Sequence, residues 1–162
     1  MALFADELGT RPAESPLKPV GNRYDLGRFV RAQAGIYPRA LAELRAGSKT
    51  THWMWFVFPQ ILGLGNSKNA RLYAIAGMEE ARAYAGHDLL GPRLIECTDA
   101  MLAWAGRKSA LDILGVIDAM KFHSSMTLFE RACPDEPRFA EALDAYFDGR
   151  RDWATLDQLA ED

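Results

Sequence analysis

From Asp25 onward, apolar residues recur at intervals of three and four, and each such stretch is soon cut off by a glycine or a proline. That spacing puts the apolar residues on one side of a helix, and the punctuation keeps every helix short. No run alternates apolar and polar residues as a half-buried strand does, so a strand formed anywhere would lack a second one to pair with. Asp25 is a good N-cap for a helix with Leu26, Phe29, Val30 and Ala34 on its apolar side. Pro38 cannot sit inside a continuing helix, so it opens a second one, with Ala40, Leu41 and Leu44 inward and Gly47 as a left-handed stop. Asn66 or Ser67 caps a helix through Leu72, Tyr73 and Ile75. After Gly77, MEEARAYA carries two glutamates in its first turn, where the helix dipole favours them. Pro92–Ala105, Ser109–Gly115, Asp118 to about Ala132, Pro137–Phe147 with Gly149 as its stop, and a last segment from Asp152 complete the series.

The expected fold class is all-α, a compact multihelical single domain of about eight or nine helices spanning residues 25–162. Residues 1–24, with three prolines, two glycines and no sustained period, read as a flexible N-terminal arm. A chain of 162 residues buries about 70% of the surface its unfolded form exposes, enough for one core. No period of 20 to 50 residues repeats, which excludes a solenoid.

Charge and composition narrow the function. No apolar run reaches the ~20 residues that cross a bilayer, and MALFADELGT lacks the basic and apolar regions of a signal peptide, so a cytoplasmic protein and no membrane partner are expected. Cys97 and Cys133 are too few for a disulfide framework and read as free buried thiols. The net charge is −3, but residues 26–76 carry seven basic groups against Glu43 alone, whereas residues 77–162 carry nine basic against seventeen acidic groups. Such asymmetry suits either an anionic ligand near the first half or two halves that attract each other. An acidic whole with scattered bases argues against a nucleic-acid partner. His52, His87 and His123 have no paired spacing, so no metal is expected. Glycine-rich phosphate loops, nucleophile elbows and dinucleotide fingerprints are absent, and no cofactor is expected.

Two segments carry the polar residues that fit poorly with plain core packing. In THWMWFVFPQILGLGNSK, the apolar run WMWFVF suits a buried strand or a short buried helix, and the lack of a pairing strand favours the helix. Trp53 and Trp55 either stack a flat ring or fill the core, while His52 and Gln60 bracket them as donors at a pocket mouth. In KFHSSMTLF, helical spacing puts Lys121, Ser124, Ser125 and Leu128 on one face. A lysine with two hydroxyls one turn away can hold a phosphate or carboxylate; the same serines can instead bond back to helix carbonyls. Arg93, behind Gly91 and Pro92 at a helix start, is a third anion contact to weigh against a solvated helix face.

Together LAELRAGSKTTHWMWFVFPQILGLGNSKNARLYAI, ARAYAGHDLLGPRLIECT and MKFHSSMTLF resemble the bacterial domain-of-unknown-function family 1810, sometimes labelled calpastatin. The resemblance runs from about Asp25 to Phe147, and it implies a small multihelical fold without implying an activity. Calpastatin is a disordered protease inhibitor, so that label does not suit a chain of packed helices. Pro38 after the tyrosine and His123, where a basic or small residue is usual, depart from the family pattern, and His123 is given no catalytic role.

The leading expectation is therefore a helical domain in which the two segments form one pocket for a small anionic, nucleotide-like ligand. Trp53 or Trp55 would stack its ring, Lys121 would meet its charge, and Ser124, Ser125, His52, Gln60 and Arg93 would complete the site. The catalytic residues are open, with His52 as acid or base if hydrolysis or group transfer takes place. The rival expectation is a protein-interaction module whose contact surface is the acidic second half. A third is that the polar cluster only locks helix packing.

Overall fold

The computed structural model describes residues 24–161. Among them are ten helices: α1 Gly27–Gln33, α2 Tyr37–Arg45, α3 Met54–Val57, α4 Lys68–Leu72, α5 Met78–Ala85, α6 Leu90–Leu102, α7 Ala110–Leu114, α8 Val116–Ala132, α9 Pro137–Phe147 and α10 Trp153–Ala160. All ten fall in stretches expected to be helical, α3 in WMWFVF and α4 after Ser67, so the count stands one above the expected eight or nine. Strands are absent from these residues, apart from one isolated parallel bridge between Ile61 and Ile75. Apart from Tyr24, the N-terminal arm expected over residues 1–24 lies outside the described residues.

Two long helices organise the domain. α5, α7, α9 and α10 pack against α8, while α2, α5 and α9 pack against α6, and the α3 turn touches both. From Phe122 to Phe129 every residue of α8 except His123 is buried, so this stretch is covered on all sides, as a central helix must be. Aromatic rings fill the centre: Phe29 meets Tyr84 edge-on at 5.0 Å, and Phe58 meets Phe122 at 4.9 Å. No helix among the described residues is long and apolar enough to cross a membrane.

Local chemistry explains most boundaries. Ser67 accepts from the Ala70 N–H, Ser109 and Asp112 form a reciprocal capping box, and the Asp152 carboxylate accepts from the Thr155 N–H. Gly115, at φ 86°, alone separates α7 from α8, and Gly47 turns left-handed after α2. Several expectations are corrected. Asp25 is not the cap of α1: it is itself left-handed at φ 48°, and the Arg28 guanidinium holds the turn by donating to the Tyr24 and Asp25 carbonyls. Ala34 is exposed, and Gln33 takes the buried place beside Phe29. α6 starts two residues before Pro92, because His87 Nδ1 accepts from the N–H groups of Leu89 and Leu90 and so caps the turn. It also stops at Leu102 rather than Ala105. α8 begins at Val116, with Asp118 inside its first turn, and α4 ends at Leu72, leaving Ile75 to the bridge with Ile61.

Candidate functional site

The tryptophan segment is held by one carboxylate. Glu43 of α2 is 8% exposed and accepts from the N–H groups of Thr50 and Thr51, the Thr51 hydroxyl and the Trp53 indole N–H at 2.6–3.1 Å. Burial alone would raise its pKa; the donors from Thr51, Thr50 and Trp53 outweigh burial and hold it down at about 2. Trp53 is completely buried, so both its ring and its N–H are committed to the fold. His52, between the two anchored residues, points to solvent as an exposed side chain.

The lysine–serine helix meets this segment through ion pairs. Lys49 Nζ lies 2.7 Å from Asp118, whose other oxygen is 3.6 Å from Lys121 Nζ. Lys49 also stands 5.0 Å over the Trp53 ring, and Lys121 4.7 Å over Trp55. The two expected segments therefore come together at Trp55 and Lys121, but they touch each other directly. Ser124 is buried and donates to the Met120 carbonyl and to Asp152, which joins α8 to the start of α10. Ser125 is fully buried, and its hydroxyl has no hydrogen-bond partner among the described residues. Gln60 is half-buried, and its backbone carbonyl accepts from the Ile75 N–H beside the bridge. Arg93 turns away from its own helix start, lying 4.4 Å over the Tyr37 ring and donating to Gln33 Oε1 at 3.0 Å. Gln33 in turn donates to the Phe56 carbonyl at 2.7 Å, so Arg93 braces the α3 turn through a side-chain relay. His123, stacked on Phe147 at 4.1 Å, likewise serves packing.

The concave site lies elsewhere, along the outward face of α6. A cleft of about 950 Å³ is floored by Pro92, Ile95, Ala100 and Ala103 and walled by Trp104 and Phe139. Its size falls at the top of the range of small-ligand sites. The end of α2 contributes Arg45 on one side, and the α8–α9 connection contributes Cys133 and Glu136 on the other. Most charges at this rim neutralise one another. Arg45 pairs with Glu96 at 3.5 Å, and Arg138 holds Asp99 at 2.8 Å and Glu136 at 3.2 Å. Arg107 differs: it lies 4.3 Å over the Trp104 ring and donates to the Ala103 carbonyl, with no ion pair among the described residues. Trp104 is fixed from behind, since its indole N–H donates to the Leu44 carbonyl and its ring packs on Gly47, where an added Cβ would fall within 2.8 Å.

Of the residues singled out from sequence, none of His52, Trp53, Trp55, Gln60, Arg93, Lys121, Ser124 or Ser125 lines this cleft; only Gly91 and Pro92, the neighbours of Arg93, do. The missed signal was AMLAWAGRK, in which small residues alternate with a tryptophan and a cationic pair just past the helix end.

Comparison with known proteins gives the chain its relatives. The crystal structure, at 1.38 Å, of the conserved hypothetical protein Rv1873 from Mycobacterium tuberculosis is similar, with a TM-score of 0.82 and 49% identity, over 85% of this chain and 98% of that one. No curated protein matches the chain. The family model described as "Protein of unknown function (DUF1810)" matches residues 23–159. A match over that length shows the family, and the chain belongs to DUF1810.

Proposed function

We propose that this domain binds a small organic anion with a flat, apolar portion, a phosphorylated nucleoside being of the size that fits, and that it does so in the cleft along α6. The observation that carries the reading is Arg107, a guanidinium at the end of a concave apolar surface with no carboxylate among the described residues to neutralise it. The acids beside it are already paired with Arg45 and Arg138, so an incoming anion meets an unspent positive charge. Phe139 and Ile95 supply the apolar surface against which a planar group lies, while Trp104 holds Arg107 at its end. The tryptophan–lysine surface supports the alternative location less well, because Trp53 is buried and Lys121 is shared between Asp118 and Trp55.

The test is thermal and calorimetric titration with a panel of nucleotides and phosphorylated metabolites. A ligand present at 100 times its dissociation constant adds about 2.7 kcal/mol of stability. Arg107→Ala, at an exposed position, leaves the melting temperature of the free protein near that of the wild type and weakens binding at least about tenfold. Lys121→Ala leaves the binding as it was. If Lys121→Ala abolishes the response and Arg107→Ala does not, the ligand sits at the tryptophan–lysine surface and the cleft assignment fails. If no member of the panel moves either thermogram, the small-anion reading itself fails and the interaction module takes its place.

A further inference from the structure

Where α7 meets α8, the molecule leaves a cluster of large apolar side chains uncovered: Leu111 is 53% exposed, Val116 65%, Ile117 68% and Met120 66%. Val116 and Met120 are four residues apart and Ile117 and Met120 three, so they share one face of the first turns of α8. One turn further on, Ser124 holds the Asp152 carboxylate, which brings the start of α10 alongside this face; the next residue, Trp153, is 78% exposed. Apolar patches of this extent mark contact surfaces. A convex helix face offers no enclosure for a small ligand, and the α6 cleft is lined by none of these residues.

We infer that this face is the contact between two copies of the chain, related by a two-fold axis that lays α8 against α8 antiparallel. The order of side chains along it is self-complementary, as a two-fold contact requires. Val116, Ile117 and Met120 lie in the middle, with Leu111 at one end and Trp153 at the other, so the axis sets Trp153 of each copy against Leu111 of its partner. Charge at the ends is mixed: exposed Asp112 stands beside Leu111, and exposed Arg150 and Asp157 stand three and four residues from Trp153, so Arg150 is the group that meets the partner's Asp112. The cations near Leu111 are engaged away from this face: Lys108 Nζ donates to the Gly47 carbonyl and Arg107 lies over Trp104 at the cleft. On one flank Lys49, Asp118 and Lys121 are already joined, so covering them leaves no lone carboxylate. The five apolar side chains present on the order of 600 Å² per copy, against about 800 Å² per partner in a standard specific interface, which with a polar rim is enough for a dimer of moderate affinity.

Sedimentation velocity of the full chain, from low micromolar to near-millimolar concentration, tests the contact. The expected result is a reversible monomer–dimer equilibrium, with the emission of the chain's four tryptophans shifting to shorter wavelength as the dimer forms, a shift that Trp153→Phe removes. Ile117→Lys and Met120→Lys each weaken association at least about tenfold, and in dilute solution both melt at the wild-type temperature, because the side chains they replace are two-thirds exposed in the monomer. A chain that stays monomeric over the whole range overturns the inference, as does a dimer that neither lysine disturbs. Hydrogen exchange at low and high concentration adds a second reading: protection of residues 116–120 should rise as the dimer forms, and protection that is the same at both concentrations does not come from a second copy and overturns the two-fold contact.

Discussion

Glu43 shows how one side chain can set the shape of a loop. Five donors converge on its carboxylate when Arg39 at 3.5 Å is counted, and four of them come from Thr50, Thr51 and Trp53. The charged form is therefore the one the fold prefers, and the pKa drops from the ordinary 4.5 to about 2. A group whose folded pKa is depressed lends stability that is complete above its unfolded pKa and fades as the pH falls towards its folded one. Stability at neutral pH should thus be constant with respect to Glu43 and decline between about pH 4.5 and pH 2. Glu43→Gln keeps the shape but replaces charge-assisted hydrogen bonds with neutral ones and loses the ion pair with Arg39, at a cost of about 2 kcal/mol at pH 7. Denaturation titrations at pH 7 and pH 3 check this, because the gap between wild type and variant should narrow at the lower pH. A gap that stays constant with pH would mean that the carboxylate contributes through its shape alone.

Among the elements, α6 carries the cleft, and its position depends on the one residue in its first turn that has no side chain. A Cβ on Gly91 would fall 2.2 Å from the Ala85 carbonyl oxygen and 3.1 Å from its carbon, so the end of α5 and the start of α6 touch backbone to backbone. The obstacle is main chain and cannot rotate away, so Gly91→Ala should part the two helices, lower stability by about 3 kcal/mol and weaken any ligand that needs the upper end of the cleft. Urea unfolding reads the first effect as a lower midpoint at unchanged slope, and titration reads the second. The same region marks where sequence pattern stops being informative. Ser67, Ser109, Gly115, Pro137 and Asp152 were legible as helix boundaries because a cap acts within three residues of itself. The start of α6 was not, since its cap is a histidine ring nitrogen, which lies outside the usual set of capping side chains. The helical choice for WMWFVF followed from the want of a pairing strand. The cleft was illegible because its walls come from α2, the end of α5, α6, the α8–α9 connection and α9, and no spacing along the chain records that they converge. Trp55 and Lys121 were expected to flank a bound ligand, one stacking its ring and the other meeting its charge, and whether a cation faces a ring or a ligand depends on where Asp118 points.

Across the whole molecule, the uneven charge of the two halves appears as ion pairs between them. Arg28 meets Glu80 at 3.0 Å, Arg45 meets Glu96 at 3.5 Å, and Lys49 meets Asp118 at 2.7 Å, each a base from the first half and an acid from the second. Arg28 and Lys49 are well shielded, so these two contacts help to fix how the halves dock, while the exposed Arg45 pair adds little. A domain closed in this way should open as one unit, and its two thiols report whether it does. Cys97 is completely buried between α2 and α6, where burial pushes its pKa up to about 12 against the smaller effect of the Tyr37 hydroxyl. Cys133 lines the cleft and is only half-buried, although burial raises its pKa as well. With iodoacetamide at pH 8, Cys133 should alkylate in the native state and be slowed by whatever fills the cleft. Cys97 should react only through global unfolding, at a rate that rises with urea along the equilibrium slope of the whole domain. Should Cys97 instead react in native buffer as fast as Cys133, α2 must part from α6 without the rest of the fold, and the cleft would then be a mobile seam between two independently opening pieces.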